Sequence, residues 1–83
     1  MKIVELMQKS VEEKKHLYVI KNDELFKIWH YGNGDNGYSS LYYQKEYDEW
    51  EVAGFSTLWM VEDDYLEVSV EEFNELMQKQ GLF

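Results

Sequence analysis

The sequence predicts an α+β fold in which an antiparallel meander sheet of four to five strands is flanked by an N-terminal and a C-terminal helix. Both ends of the chain show helical periodicity, and the stretch between them is rich in Tyr, Trp, Val and Ile, which favour strands. With 83 residues the chain has room for one small core, so we treat 1–83 as a single domain.

The first helix is predicted over roughly residues 2–14. Its apolar side chains recur every four residues, at Ile3, Met7 and Val11, which places them on one face.

The second helix has a clearer beginning and end. Ser69 is the expected N-cap, and Glu72 three residues later completes a capping box, while Gly81 is suited to ending the helix. One apolar stripe follows the cap, formed by Val70, Phe73, Leu76 and Met77.

The register of the first three strands follows from two hairpins. A two-residue turn at 22–23 and a loop at 32–37 are assumed, since Asn, Asp and Gly favour turns. The implied pairs are Lys21–Glu24, Val19–Phe26, Leu17–Ile28, Tyr31–Tyr38, Ile28–Leu41 and Phe26–Tyr43. One face then stays apolar across all three strands, whereas a slip of one residue would invert it.

The loop GNGDNG at 32–37 has the letters of a dinucleotide-binding motif, G-x-G-x-x-G. Such a loop leads from a strand into a helix, but the run that follows here, YSSLYYQKEY, is typical of a strand. We therefore expect Gly32, Gly34 and Gly37 to have a conformational role, and we expect no cofactor.

A long fourth strand is predicted over 49–61 and a fifth over 65–68, joined by an acidic turn at 62–64. This turn would pair Met60 with Leu66 and Leu58 with Val68. Both helices are expected on the same apolar face. The predicted core contains Leu17, Phe26, Ile28, Leu41, Leu58, Phe73 and Leu76.

The opposite face of the predicted sheet is rich in aromatic residues and would be left uncovered. Its members are Tyr18, Lys27, Trp29, Tyr31, Tyr38, Tyr42, Phe55, Trp59 and Tyr65. Exposed aromatic patches mark interaction surfaces, so the expected partner-binding anchors are Tyr18, Trp29, Tyr31, Tyr42, Trp59 and Tyr65. The alternative, that one helix covers this face, remains open.

Charge is distributed unevenly along the chain, whose net charge is −9. Residues 1–45 have a net charge of +1, whereas residues 46–83 carry eleven acids and one Lys. This charge disfavours direct binding of nucleic acid and attracts basic surfaces. The expected acidic contacts are Glu62, Asp63, Asp64, Glu67, Glu71, Glu72 and Glu75; the alternative is a merely solubilising face.

The sequence offers little for catalysis or metal binding. There is no Cys, and the two His, His16 and His30, lack zinc-ligand spacing. His30 falls opposite Ser39 with Asp35 nearby, but Ser39 lies in a plain strand without the elbow of a nucleophile. We expect no catalytic residues, no metal and no enzyme activity. We see no signal peptide or apolar run that could span a membrane, so a cytoplasmic protein is expected.

The sequence therefore predicts an interaction protein. We expect an inhibitor or adaptor that occupies a basic, nucleic-acid-binding surface of a partner protein. In composition and size alone it is similar to phage-encoded antagonists of host defence and to immunity proteins. One alternative is a homo-oligomer, with a dimer interface at Trp29 or Trp59, and another is a small-ligand binder on the aromatic face.

Overall fold

The computed structural model describes residues 1–22, 24–32, 37–46, 49–53 and 63–80, and it confirms the predicted α+β fold. A five-stranded antiparallel sheet is flanked by two helices, and its strands lie in the order β4-β3-β2-β1-β5. The elements along the chain are α1 (Ile3–Glu13), β1 (Leu17–Lys21), β2 (Glu24–Tyr31), β3 (Tyr38–Glu46), β4 (Glu49–Val52), β5 (Leu66–Val68) and α2 (Val70–Lys79).

Each helix has a defined boundary that side-chain or backbone geometry explains. Ser69 Oγ accepts a hydrogen bond from the backbone N–H of Glu72 at 3.1 Å, which confirms the predicted N-cap of α2. After α1, Lys14 adopts a left-handed conformation with φ of 53°, which ends the helix. The buried Ser10 Oγ then donates to the carbonyl of Lys15 at 2.6 Å. Gly81, the expected stop of α2, lies outside the described residues.

The predicted register of the first two hairpins is confirmed. The aligned pairs include Lys21–Glu24, Val19–Phe26, Leu17–Ile28, Tyr31–Tyr38, Ile28–Leu41 and Phe26–Tyr43. Asn22 has φ of 47° at the first turn, and Gly32 has φ of 95° at the second, a conformation that glycine adopts without strain. A strand, β3, follows the Gly-rich loop, where a dinucleotide-binding motif requires a helix. Gly34 lies outside the part of the chain that is described.

The predicted position of the fifth strand is wrong. β5 pairs with β1, with Val68 opposite Tyr18 and Leu66 opposite Ile20, and so lies at the opposite end of the sheet from β4. The residues predicted to pair with β5, Leu58 and Met60, are not among those described. The predicted meander leaves the outer edge of β1 without a partner, and an open edge favours the addition of a strand.

The sheet has a separate core on each face, so the prediction of one shared core is wrong. The α1 side buries Ile3, Leu6, Leu17, Val19, Phe26, Ile28, Leu41 and Tyr65. The α2 side buries Leu25, Phe73 and Met77, with Tyr18, Ile20, Trp50, Val68 and Leu76 packed against them. Phe73 and Leu76 were predicted to join Phe26, but they lie across the sheet from it. Ile20 and Leu25 give the second face an apolar patch of its own, and α2 packs there.

Tyr65 also lies on the opposite face from the one predicted. Its ring packs edge-on against Phe26, with centroids 5.2 Å apart, and the residue is 3% exposed. Because the true neighbour of β5 is β1, the alternation of side chains directs this residue toward α1. Its hydroxyl has no hydrogen-bond partner among the described residues. Burial, followed by the nearby carboxylates of Asp63 and Glu24, raises the pKa of Tyr65 to about 12.

Candidate functional site

The acids of the predicted binding turn are offset by lysines of the same chain. The ion pairs are Asp63–Lys21 at 2.5 Å, Asp64–Lys2 at 3.4 Å and Glu67–Lys9 at 2.5 Å. The hydrogen bond to Glu67 is the main cause of a raised pKa at Lys9. Glu62 lies outside the described residues. The turn therefore presents less unbalanced negative charge than its sequence indicates, since each described acid has a cation beside it.

The acids of α2 are arranged differently. Glu71, Glu72 and Glu75 are exposed, and none forms an ion pair with any described side chain. Glu71 and Glu72 lie in the first turn, where the positive end of the helix dipole favours carboxylates. These three residues form what we call the α2 acidic surface.

The predicted aromatic anchors are divided among different environments. Tyr18 is half-buried beneath α2, with its ring centroid 5.0 Å from that of Phe73. Trp29, Tyr31 and Tyr42 remain on the part of the face beyond α2. Trp59 is outside the described residues. The prediction that this face is uncovered is therefore wrong for the half on which α2 packs.

The half of this face beyond α2 contains a shallow depression that we call the aromatic groove. It has a volume of about 270 Å³ and is lined by Lys27, Trp29, Tyr31, Tyr42 and Trp50. The Nζ atom of Lys27 lies 4.0 Å from the centroid of the Trp50 ring and 5.6 Å from that of Trp29. These distances fall within the range of cation–π attraction.

Contacts outside the aromatic groove hold two of its rings in place. His16 stacks on Trp29 with centroids 4.1 Å apart, and its Nδ1 accepts a hydrogen bond from the backbone N–H of His30 at 3.0 Å. Tyr31 stacks on Tyr38 with centroids 5.3 Å apart. These contacts restrict the orientations of the Trp29 and Tyr31 rings.

The two tyrosine hydroxyls of the aromatic groove lie together at its wall. The Tyr31 and Tyr42 hydroxyl oxygens are 2.5 Å apart and share a hydrogen bond. This hydrogen bond, followed by burial, raises the pKa of Tyr31 to about 12. Only one hydroxyl can donate within the pair, so acceptor positions remain for a ligand.

Trp50 is a groove residue that the sequence did not reveal. Its ring also packs against Phe73 of α2, with centroids 6.0 Å apart, so it lies between the buried face of α2 and the aromatic groove. The pairing of β3 with β4 shifts register between Gln44 and Glu46. A β-bulge changes which side chains share a face, and no residue pattern around Trp50 predicts this one.

The arrangement around His30 does not form a nucleophile–base pair. His30 lies opposite Ser39, as predicted. However, the Ser39 hydroxyl donates to the carbonyl of Met7 at 3.2 Å. Asp35 lies outside the described residues.

The described ranges contain no cluster of three or more His, Cys, Asp or Glu side chains that could hold a metal ion. None of their helices has both the length and the apolar character needed to cross a membrane.

These features define a class of protein: a small α+β domain with an acidic helix beside an aromatic groove on one face of its sheet. Comparison with protein families, with curated proteins and with solved structures gave no match. Any functional conclusion therefore depends on the chemistry of the chain itself.

Proposed function

We propose that the protein is a non-enzymatic inhibitor or adaptor whose α2 acidic surface docks on a basic, nucleic-acid-binding surface of a partner protein. The observation that carries this proposal is the contrast in ion pairing. Glu71, Glu72 and Glu75 lack a described basic partner, whereas the acids near β5 are paired with lysines. Unpaired exposed carboxylates can stand in for phosphates without first breaking an internal ion pair.

The overall charge supports the same partner chemistry. A net charge of −9 attracts basic surfaces over the distance of approach, which is limited to roughly 8–10 Å at physiological salt. Electrostatic attraction of this kind raises the association rate more than it slows dissociation.

The aromatic groove supplies the second part of a binding surface. Trp50 lines the groove and packs against Phe73 of α2, so the helix that carries the acids lies next to the aromatic rings. Tyr and Trp are frequent binding hot spots because they bury a large area at a small cost in conformational entropy. In this proposal the glutamates raise the rate of association with the partner, and the aromatic rings slow dissociation.

The test is capture of partners from a lysate of cells that carry the gene, compared between two variants. One variant neutralises Glu71, Glu72 and Glu75 by Glu→Gln changes. The matched control neutralises Glu5, Glu12 and Glu13 of α1 in the same way, which changes the net charge equally. We expect a partner that is lost by the α2 variant, retained by the control, weakened by salt and displaced by duplex DNA.

Two results would count against the proposal. If the α2 variant and the α1 control retain the same proteins equally, the α2 acidic surface is not the contact. If no α2-dependent partner is displaced by DNA, the basic surface is not one that holds nucleic acid.

A further inference from the structure

The aromatic groove already holds a positive charge supplied by the chain itself. The Lys27 ammonium lies over the Trp50 ring and within cation–π range of Trp29. Aromatic rings present negative potential on their faces, and Trp does so most strongly. The side chains that line the groove therefore suit a cation, and the position of the Lys27 ammonium is consistent with this.

The alternative ligand for such a groove is a planar anion held by Lys27. Two observations weigh against it. Lys27 is the only basic residue among the described ones that line the groove, and its ammonium lies over the Trp50 ring. The net charge of −9 also repels anions and concentrates cations near the surface.

We propose that the aromatic groove receives an arginine side chain from the partner, and that Lys27 occupies the same place while the partner is absent. A guanidinium is planar and weakly hydrated, so it stacks on indole and phenol faces better than an ammonium does. The Tyr31–Tyr42 hydroxyl pair retains acceptor positions for guanidinium N–H groups.

This inference extends the proposed function, since it names the side chain by which a basic surface would be held. Arginine is common on surfaces that bind nucleic acid, because its fork of donors matches phosphate groups. The acidic surface and the aromatic groove then recognise one partner by two means, charge on α2 and ring stacking beside it.

The inference can be tested with a small probe and without the partner. N-acetylarginine methylamide is titrated into the full chain, and the indole N–H signals of Trp29 and Trp50 are followed by NMR. N-acetylcitrulline methylamide, which is neutral and nearly the same shape, is the matched probe. We expect saturable shifts with the arginine probe. The citrulline probe should bind at least about fivefold more weakly.

The Lys27→Met variant decides whether the lysine is a competitor or a binding group. It keeps the aliphatic stem and removes the charge, so arginine should bind about two- to fivefold more tightly once the internal cation is gone. The Lys79→Met variant on exposed α2 changes the net charge equally and should leave the affinity nearly unchanged.

Three results would overturn the inference: weaker arginine binding by Lys27→Met, equal binding of citrulline, or no shift at either indole at millimolar probe. The outcome is separable from that of the proposed function. The arginine probe could cause no shifts while neutralising the α2 glutamates still removes a partner that DNA displaces. In that case the proposed function is supported and the assignment of the groove to arginine is wrong.

Discussion

The two faces of the sheet are built from similar residue types, but their helices cover them to different extents. On the α1 side, Val19 and Ile28 are fully buried, and Leu17 and Phe26 are 2% and 1% exposed. On the α2 side, Phe73 is as deeply buried, yet none of the described helices covers the aromatic groove beyond it. Among the described residues, one face is a closed core, and the other is a core that ends at the aromatic groove.

A small domain must be stable and must also keep surface available for contacts with other molecules, and the two faces differ in which of these they serve. The α1 side supplies stability through aliphatic and aromatic packing that excludes water. The α2 side uses Phe73 to fix a helix in place, and it leaves Trp and Tyr rings beside that helix for other contacts. This difference is the reason that we place the proposed binding surface on the α2 side.

The largest expected effect is at the closed face. Phe26→Ala should lower the free energy of unfolding by about 3–5 kcal/mol, because the side chain is 1% exposed and its loss leaves a cavity in the main core. Urea denaturation followed by circular dichroism measures this. A loss below about 1 kcal/mol would show that the α1 side is not the principal core.

A somewhat smaller effect is expected at the half-covered face. Phe73→Ala should cost about 3 kcal/mol, since the cluster around it is smaller and its neighbours Tyr18 and Trp50 are already partly exposed. Amide exchange should also accelerate more in α2 than in α1. Uniform acceleration in both helices would mean that the two cores are not distinguishable units.

The third effect depends on pH and concerns the hydroxyl of Tyr65. The unfolded phenol ionises near pH 10, whereas burial raises the pKa of Tyr65 to about 12, so the folded state retains the proton longer. Stability due to this group is present below pH 10 and is lost as pH rises toward 12. Tyr65→Phe should therefore lose less stability than the wild type over that window.

At neutral pH the same variant should be as stable as the wild type or slightly more so. The hydroxyl has no hydrogen-bond partner among the described residues, and removing an unsatisfied buried group carries little cost. Urea midpoints at neutral pH and at about pH 11 measure both expectations. Parallel losses in the two proteins would mean that another group causes the alkaline instability.

The smallest expected effect is at the ion pair that joins α1 to β5. A double-mutant cycle of Lys9→Met and Glu67→Gln should give a coupling of about 0.5–1 kcal/mol, because both side chains are only partly exposed. The Lys15–Glu13 pair, which is more exposed, is the matched control and should give less. Equal coupling energies would show that the Lys9–Glu67 pair stabilises the fold no more than an ordinary surface ion pair.

The parts of the fold that were predictable depend on local sequence. Two short turns fix the register of three strands, so Phe26 could be placed opposite Val19 and Tyr43. The cap at Ser69 is likewise a matter of neighbouring residues. In each case the interacting groups are close along the chain, so a pattern of a few residues is enough to predict the contact.

The parts that could not be predicted depend on distant pairing. Nothing local to Leu66–Val68 indicates that this strand joins β1, and an incorrect partner places Tyr65 on the incorrect face. Both faces of the sheet offer apolar side chains, so the stripe on α2 does not show which face it covers. The ion pairs of Asp63 and Glu67 follow from the same distant pairing, and with them the division between paired and unpaired acids.

The position of β5 beside β1 also determines the order in which the chain can complete its fold during synthesis. The strands β1 to β4 are made in sequence and can form hairpins with their neighbours, while the outer edge of β1 stays open. That edge closes only when residues 66–68 have been made, and bringing two segments so far apart in the chain together costs conformational entropy. A nascent chain that stalls before β5 would expose an unpaired strand edge, which is a template for aggregation.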